Sequence, residues 1–200
     1  MPEESTPPTW WSLLINRPSS KRAEFMPIAP RPLPYVDPEA PRGAVSRTMI
    51  RLLGTRPMLW FEGTPIWRIL WWRLVPRLWR LTGGRLGGNA PMPTGLLETR
   101  DTRNGRPHRR VLFYFHDDNK VTLIATKGGL PRDPYWYDNA LASPEVRFAG
   151  EPFRAEPVDA EAEQNRLWAL ADRYFPPFAA YRARAARTDR EIPILQLTPR

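Results

Sequence analysis

Residues 123–139 read Leu-Ile-Ala-Thr-Lys-Gly-Gly-Leu-Pro-Arg-Asp-Pro-Tyr-Trp-Tyr-Asp-Asn and join a β-type run to an aromatic helix through a glycine turn. The strand is predicted to reach Thr126, and the helix to run from Pro134 to Leu141, because proline is favoured in the first helical turn. The turn gathers the Lys127 ammonium, glycine amides and a helix N-terminus around one point, which favours an anion. An ordinary strand-ending turn with a solvated lysine and core aromatic residues gives the same local pattern.

The bulk composition narrows the chemistry that this chain can perform. Two hundred residues are enough for one folded domain with extensions. The absence of cysteine excludes disulfides, thiolate metal sites and cysteine nucleophiles. Two histidines, His108 and His116, are too few for a histidine-rich metal site, so we expect no metal.

The net charge of +9 comes almost entirely from arginine, and it predicts phosphate-rich partners. Composition alone leaves nucleic acid, anionic lipid and phosphorylated small molecules open. No apolar run reaches the roughly 18 residues of a transmembrane helix. The first residues, with Glu3 and Glu4, do not resemble a signal peptide, so we expect a cytoplasmic protein.

Three segments differ in composition along the chain. Residues 1–50 are rich in proline and predict a largely unstructured arm. Residues 51–92 are basic and aromatic, with an amphipathic helix predicted over 66–81 that carries arginines on one face. Arginine beside tryptophan on a short helix suits a bilayer surface, so peripheral contact with the inner face of the cell membrane is one expectation. Packing of this helix on its own domain or on a second subunit is the alternative.

Residues 93–200 predict a compact domain of short strands and helices. Asn104-Gly105 is a strong hairpin signal between two strands, and further turns follow at Asp117-Asp118-Asn119 and Gly150. We expect an α+β, mainly β fold: a small barrel of about six antiparallel strands with helical insertions. The predicted strands are 95–100, 109–115, 120–126, 146–148, 153–158 and 192–197.

Residues 94–199 resemble the deazaflavin-dependent nitroreductase family, whose members are split β-barrels that bind coenzyme F-420. The hairpin Thr102-Arg-Asn-Gly-Arg-Pro-His-Arg-Arg110 is similar to the family's Gly-Arg-Lys-Ser/Thr-Gly-x-Pro-Arg. Ala125-Thr-Lys-Gly-Gly129 with Pro134-Tyr-Trp-Tyr-Asp-Asn139 resembles its Ala-Ser-Lys-Gly-Gly and Pro-x-Trp-Tyr-x-Asn motifs. Thr188-Asp-Arg-Glu-Ile-Pro193 is similar to its Thr-Asp-Arg-x-Ile-Pro ending.

The resemblance implies which residues bind the coenzyme. Cations of the hairpin would meet its anionic tail, the Lys127 turn would hold its phosphodiester, and the aromatic helix would line its ring system. The implied cofactor-binding residues are Arg103, Asn104, His108, Arg109, Arg110, Ala125, Thr126, Lys127, Gly128, Gly129, Tyr135, Trp136, Tyr137 and Asn139. FMN, which related split barrels use, is the less favoured cofactor.

The chain departs from the family pattern at several positions. Asp101-Thr-Arg103 stands where the family has Gly-Arg-Lys, so a cation is replaced and an acid is gained. His108 replaces an arginine after the hairpin proline. Two tyrosines of the substrate side are replaced by Phe175 and Phe178, which implies a more apolar acceptor pocket.

The expected function is an oxidoreductase that transfers hydride from the reduced deazaflavin to a small lipophilic acceptor of the quinone or nitroaromatic type. Tyr181 and Thr126 are the candidate catalytic residues, as proton donors or substrate-orienting hydroxyls. Phe175, Phe178 and Tyr181 are the candidate acceptor-binding residues. A non-catalytic carrier of the cofactor with the same fold, and a basic membrane-surface protein, are the alternatives. We expect no nucleic acid partner, and a homodimer stays open.

Overall fold

The structure, a computed structural model, describes residues 33–62, 64, 74, 75, 77, 81 and 92–200. From residue 94 onward the helices and strands follow the predicted order, with boundaries that differ by a few residues, whereas the two helices before it, the first of which begins at Ala44 inside the predicted unstructured arm, were not predicted. They are α1 (Ala44–Leu53), α2 (Arg56–Glu62), β1 (Thr94–Arg100), β2 (Pro107–Phe113), β3 (Phe115–Asp117), β4 (Lys120–Ile124), α3 (Tyr135–Ala142), β5 (Glu145–Phe148), β6 (Glu151–Pro157), α4 (Glu161–Tyr174), α5 (Phe178–Ala185) and β7 (Ile194–Pro199), with 3-10 turns at Lys127–Gly129 and Ala186–Thr188.

The strands form one antiparallel sheet in the order β2-β1-β5-β6-β7-β4-β3. Its two edge strands, β2 and β3, are separated in the chain only by Tyr114, so the sheet curls on itself. The predicted mainly β split barrel with helical insertions is therefore confirmed. Seven strands replace the expected six because Tyr114 divides the single strand predicted over 109–115. The chain changes direction at Tyr114, whose buried ring packs edge-on against Phe148 at 5.3 Å.

Apolar side chains from the inner face of the sheet and from the helices fill one main core. Strand residues Leu97, Leu123 and Leu195 are fully buried, and Leu167 of α4 and Phe175 close the core from the helical side. Each such side chain contributes about 1.5–3 kcal/mol through the hydrophobic effect. This core fixes the positions of the β1–β2 hairpin, the Lys127–Gly129 turn and α5, which together form the cleft described below.

The last part of the proline-rich segment contacts the barrel, which corrects the prediction of a largely unstructured arm through residue 50. Val36 accepts a backbone hydrogen bond from the His116 N–H at 2.8 Å, and its own N–H donates to His116 Nδ1 at 3.0 Å. Tyr35 stacks on the His116 ring at 4.7 Å, and the Tyr114 hydroxyl donates to the Pro34 carbonyl. The sequence prediction failed because these contacts bury the edge strand β3 and depend on tertiary partners, not on local periodicity.

The predicted helix over residues 66–81 lies almost wholly outside the described residues, as does the arm before residue 33. The helical segment before β1 that the structure does describe consists mainly of α1 and α2. Among the described helices, none has both the length and the apolar character required to cross a bilayer.

Candidate functional site

A cleft of about 810 Å³ opens between the β1–β2 hairpin, the turn after β4 and the helix α5. A volume in this range suits a cofactor or a drug-sized ligand. Apolar residues of β2, together with Ile124, line its floor. We call residues 101–113 the hairpin wall and residues 126–135 the loop wall.

The loop wall turns through three consecutive residues with positive φ: Lys127 at 48°, Gly128 at 66° and Gly129 at 74°. Lysine rarely adopts this conformation, whereas glycine does so without a Cβ penalty. The Lys127 Nζ donates to the Asp133 carbonyl at 3.0 Å and lies 5.5 Å from the centroid of the Tyr135 ring. Burial, and then the neighbouring Arg190, lower the pKa of Lys127, so an anion at this position would stabilise its charged form.

The turn packs directly on α5. A Cβ added to Gly129 would lie 2.4 Å from the Tyr181 carbonyl oxygen, so only glycine permits this approach. The Arg184 guanidinium also donates to the Gly128 carbonyl at 3.0 Å. The predicted anion turn and the predicted catalytic tyrosine are therefore parts of one packed unit.

The hairpin wall presents Arg103, which the structure pairs with an acid. The Asp101 carboxylate accepts from Arg103 Nε at 3.1 Å and from Nη2 at 2.8 Å. These hydrogen bonds lower the pKa of Asp101 to about 2. The Arg103 guanidinium also lies 4.6 Å from the centroid of the Tyr135 ring, which is the ring that the Lys127 ammonium contacts. Tyr135 thus connects the two walls through cation–π contacts.

Two further groups of the hairpin wall, Arg110 and His108, form no ion pair with a described residue. Burial lowers the pKa of Arg110, and no carboxylate of the described residues lies within ion-pair distance of it. His108 has a buried Nδ1 that finds no hydrogen-bond partner in the part of the chain that the structure describes. Burial, followed by the charge of Arg110, lowers the pKa of His108 to about 4, so this ring is neutral near pH 7.

Most of the predicted site residues meet in this cleft. From the coenzyme set these are Arg103, His108, Arg110, Thr126, Lys127, Gly128, Tyr135 and Trp136. From the catalytic and acceptor sets they are Thr126, Phe178 and Tyr181.

Arg109, from the same coenzyme set, points away from the cleft. It lies on the opposite side of β2, because side chains alternate along a strand. There its Nε donates to Glu98 at 2.7 Å, and the Glu98 side chain is only 1% exposed. The resemblance to a basic motif could not separate Arg109 from its neighbour Arg110.

Asn139 and Asn104 are structural in this arrangement. Asn139 accepts from the Thr102 N–H at 3.2 Å and donates to Thr99 at 3.3 Å, so it ties α3 to the hairpin. Asn104 accepts from the Arg106 N–H within the turn. Phe175 lies behind Phe178, with ring centroids 4.9 Å apart. The other predicted residues that do not line the cleft are Ala125, Gly129 and Tyr137.

Sequence reasoning missed several lining residues. Arg184 follows Tyr181 by three positions on α5, so the helical period could have placed it on the same face. Arg132 and the β2 residues Val111, Leu112 and Phe113 also line the cleft. The sequence of these β2 residues predicted an apolar strand and did not indicate that they line a ligand cleft.

The cleft therefore combines a cationic end with an apolar and aromatic floor. Lys127, Arg103 and Arg110 can hold phosphate or carboxylate groups, and Tyr135 and Trp136 offer flat surfaces beside them. These residues fit a ligand that carries both negative charges and a planar ring system.

Comparisons with known proteins identify the family to which the chain belongs. A family model described as F420H(2)-dependent quinone reductase matches residues 71–199. F420H(2)-dependent quinone reductases of two Mycobacterium tuberculosis strains, H37Rv and CDC 1551, are each 34% identical over 135 residues, which covers 64% of this chain and 89% of each relative. A solved F420-H2 dependent reductase is 30% identical, with a TM-score of 0.45, over 52% of this chain and 93% of its own. The chain belongs to the F420H(2)-dependent quinone reductase family.

Proposed function

We propose that this cleft binds reduced coenzyme F420 and brings it against a quinone-type acceptor. Membership of the family makes the chain an F420-dependent oxidoreductase. The observation that supports this assignment of the site is the meeting of Lys127, Arg103 and Arg110 with an aromatic and apolar floor in one cleft. When bound, the reduced coenzyme supplies the hydride.

The cationic end holds the charged part of the coenzyme. Lys127, Thr126 and the Gly128 backbone would bind the phosphodiester, while Arg110 and Arg103 would bind the acidic tail. Each charge-assisted hydrogen bond contributes about 1.5–3 kcal/mol. Lys127 and Arg110 gain most from an anion, because neither has a carboxylate within ion-pair distance among the described residues.

Hydroxyl and aromatic side chains that line the same cleft would orient the acceptor and supply the proton. Tyr181 is 92% buried and faces the cleft beside Phe178, so its hydroxyl meets an acceptor in a largely dry environment. A phenol in that position can donate a hydrogen bond, and then a proton, to a carbonyl oxygen of the acceptor. Thr126 is the second hydroxyl in the cleft. Phe178 excludes water and favours an apolar acceptor ring.

A coenzyme titration tests the assignment directly. Fluorescence titration should show tighter binding of coenzyme F420 than of FMN, and menadione should oxidise the reduced coenzyme in the presence of the protein. Binding without turnover on menadione or a nitroaromatic would favour the carrier alternative. No binding of either coenzyme at low salt would refute the assignment.

The Lys127 position gives the sharpest variants. Lys127→Ala and Lys127→Gly both remove the ammonium, and each should weaken coenzyme binding about tenfold or more. Because Lys127 has a φ of 48°, glycine relieves backbone strain there and should leave the protein at least as stable as wild type. Unchanged affinity in Lys127→Gly would mean that the anion binds elsewhere.

We also propose that the region before the barrel contacts a membrane surface, which places the protein peripherally on the inner face of the cell membrane. Val45, Met49 and Leu52 share one face of α1, and these side chains are 73%, 37% and 60% exposed. Arg47 and Arg51 lie on the same helix, which has no acidic residue. An exposed apolar stripe beside cations suits an anionic lipid surface. Contact through residues 66–81 stays a prediction.

Vesicle sedimentation can test this contact. We expect the full chain to pellet with vesicles that contain anionic phosphatidylglycerol, and to pellet less when Val45, Met49 and Leu52 are all replaced by serine. Leu141→Ser is the control, because it changes an exposed leucine on the barrel. Val158→Ser would not serve, because Val158 is buried. Equal pelleting of all three proteins would remove α1 from the membrane contact. A homodimer stays a prediction, which sedimentation velocity can decide.

A further inference from the structure

Arg190 is a buried arginine that lies behind the loop wall. It is not among the residues that line the cleft. It belongs to the segment between the turn Ala186–Thr188 and β7, and its side chain is only 6% exposed. Its guanidinium pairs with Asp133 at 2.8 Å. A buried cation is costly unless it is paired and hydrogen-bonded, so this position indicates a specific task.

The hydrogen bonds of Arg190 reach both ends of the Lys127–Gly129 turn. On the entering side, Nη1 donates to the Thr126 carbonyl at 3.1 Å and Nη2 donates to the Ala125 carbonyl. On the leaving side, Nη1 donates to the Leu130 carbonyl at 2.6 Å and Nε donates to Asp133 at 2.8 Å. One planar group therefore holds the chain where it enters and where it leaves the turn.

Only arginine can make this set of contacts. Its five donors lie in a fixed fork, whereas a lysine presents one compact charge on a flexible stem. The turn needs such support because a non-glycine residue, Lys127, has positive φ, and strained backbone persists only where the surroundings determine it. Arg184 and the close approach of Gly129 to Tyr181 hold the middle of the turn, but Arg190 joins its two ends.

We propose that Arg190 is the positioning residue of the anion site, an inference that rests on the proposed function. It holds the turn so that the Lys127 ammonium and the Gly128 backbone face the phosphate of the coenzyme. Its charge also adds to the positive potential there, since Arg190 contributes to the lowered pKa of Lys127. Arg190 itself does not touch the ligand in this role.

Arg190→Lys keeps the charge and removes the fork, and Arg166→Lys is the matched control. Arg166 also makes four hydrogen bonds, but to Asp117 and Glu163 on the exposed surface away from the cleft. Arg190→Lys should weaken coenzyme F420 binding about tenfold or more, and Arg166→Lys less than twofold. In hydrogen exchange of the coenzyme-free protein, Arg190→Lys should raise deuterium uptake in residues 125–133 and leave the hairpin 101–110 unchanged. Wild-type affinity or wild-type exchange in Arg190→Lys would overturn the proposal.

A double-mutant cycle separates positioning from general stabilisation. If Arg190 acts through the turn, adding Arg190→Lys to Lys127→Gly should weaken binding little beyond Lys127→Gly alone. Fully additive losses would overturn the proposal, because a general structural role predicts them. Asp133→Asn keeps the carbonyl contacts of Arg190 and serves as a milder variant with the same expected non-additivity. Failure of the wild-type protein to bind the coenzyme would refute the proposed function, while the exchange experiment would still decide whether Arg190 holds the turn.

Discussion

The two walls of the cleft are both basic, but they hold their cations in different ways. On the loop wall, Lys127 contacts a carbonyl oxygen and an aromatic ring, and the backbone below it is fixed by arginines. On the hairpin wall, Arg103 is already paired with Asp101. An incoming anion would therefore meet, on one side, an ammonium with no ion-pair partner among the described residues and, on the other, a neutralised guanidinium.

The loop wall thus differs from the hairpin wall in backbone rigidity, and the hairpin wall differs from the loop wall in having its cation paired with an acid. We expect the loop wall to add affinity because its geometry is set before the ligand arrives, which reduces the entropy lost on binding. We expect the hairpin wall to adjust how strongly a charged tail is held, because Asp101 would compete with the tail for Arg103. Variants on each wall should therefore change different quantities: stability and binding together where a substitution disturbs the backbone packing of the loop wall, and mainly affinity on the cleft side of the hairpin wall.

The largest effect is expected for Arg109→Gln, on the side of the hairpin wall that faces away from the cleft. Removing the guanidinium leaves the buried Glu98 carboxylate without its partner, which should cost about 3–5 kcal/mol of unfolding free energy. Coenzyme affinity, measured well below the unfolding midpoint, should stay near wild type. Urea unfolding and fluorescence titration give the two quantities.

Arg110→Gln is the matched variant on the cleft side of the same strand. It should weaken coenzyme binding about tenfold and cost little stability, because Arg110 has no carboxylate partner among the described residues. If both variants lost affinity equally, β2 would not divide its arginines between a structural and a binding side.

Gly129→Ala is expected to have the next largest effect and to break the loop wall. Its Cβ would collide with the Tyr181 carbonyl, and its φ of 74° is unfavourable for alanine, so we expect a cost of about 2–4 kcal/mol and loss of coenzyme binding. Gly105→Ala is the control on the hairpin wall. It has φ 67° with nothing within 4 Å, so it should cost only about 1 kcal/mol. Equal costs would show that backbone strain alone, without the α5 contact, accounts for Gly129.

The sequence was sufficient for the barrel and for several residues that line the cleft. Asn104-Gly105 marked the hairpin, and the Lys127 motif marked the glycine turn of the loop wall, because both depend on local backbone conformation. The division of β2 from β3 at Tyr114 was not predictable, since it depends on packing against Phe148 from another strand. The same limit applies to residues 33–42, whose contacts with the barrel edge join parts of the chain about 80 positions apart.

In the cleft, too, features set by residues close together in the sequence were predictable, and contacts between residues far apart in the sequence were not. Lys127 and Tyr135 were placed together because one short motif carries both, whereas Tyr181 came only from the resemblance to the family. Arg190 entered the sequence analysis only as a member of the motif Thr188-Asp-Arg-Glu-Ile-Pro193, which does not report what it contacts. In the structure it forms an ion pair with Asp133 of the loop wall, 57 positions earlier in the chain. No local pattern reports such a partner.

A smaller effect should follow from Asp101→Asn, which sharpens the contrast between the walls. Asparagine keeps an oxygen that can accept the Arg103 N–H, but it removes the charge that neutralises the guanidinium. We expect coenzyme affinity to rise about threefold, because Arg103 then pairs with the ligand alone. Salt dependence of the affinity should steepen as well. Weaker binding would mean that Asp101 orients Arg103 for the ligand and does not compete with it.

The smallest effect concerns the neutral ring of the hairpin wall. His108 faces Arg110, Arg103 and Asp101, and its pKa is about 4 against an ordinary value of 6.5. The unfolded chain therefore binds a proton more readily than the folded one, so this ring contributes stability above pH 6.5 that is lost as pH falls toward 4.

His108→Gln should flatten part of the decline in unfolding free energy between pH 6.5 and 4, as measured by urea unfolding at a series of pH values. Part of the decline should remain in the variant, since burial also lowers the pKa of His116. A bound polyanion opposes the charge of Arg110, so saturating coenzyme should raise the pKa of His108 and reduce the decline in the wild-type protein more than in the variant. Parallel pH curves for the two proteins, with and without coenzyme, would place His108 outside the electrostatics of the cleft.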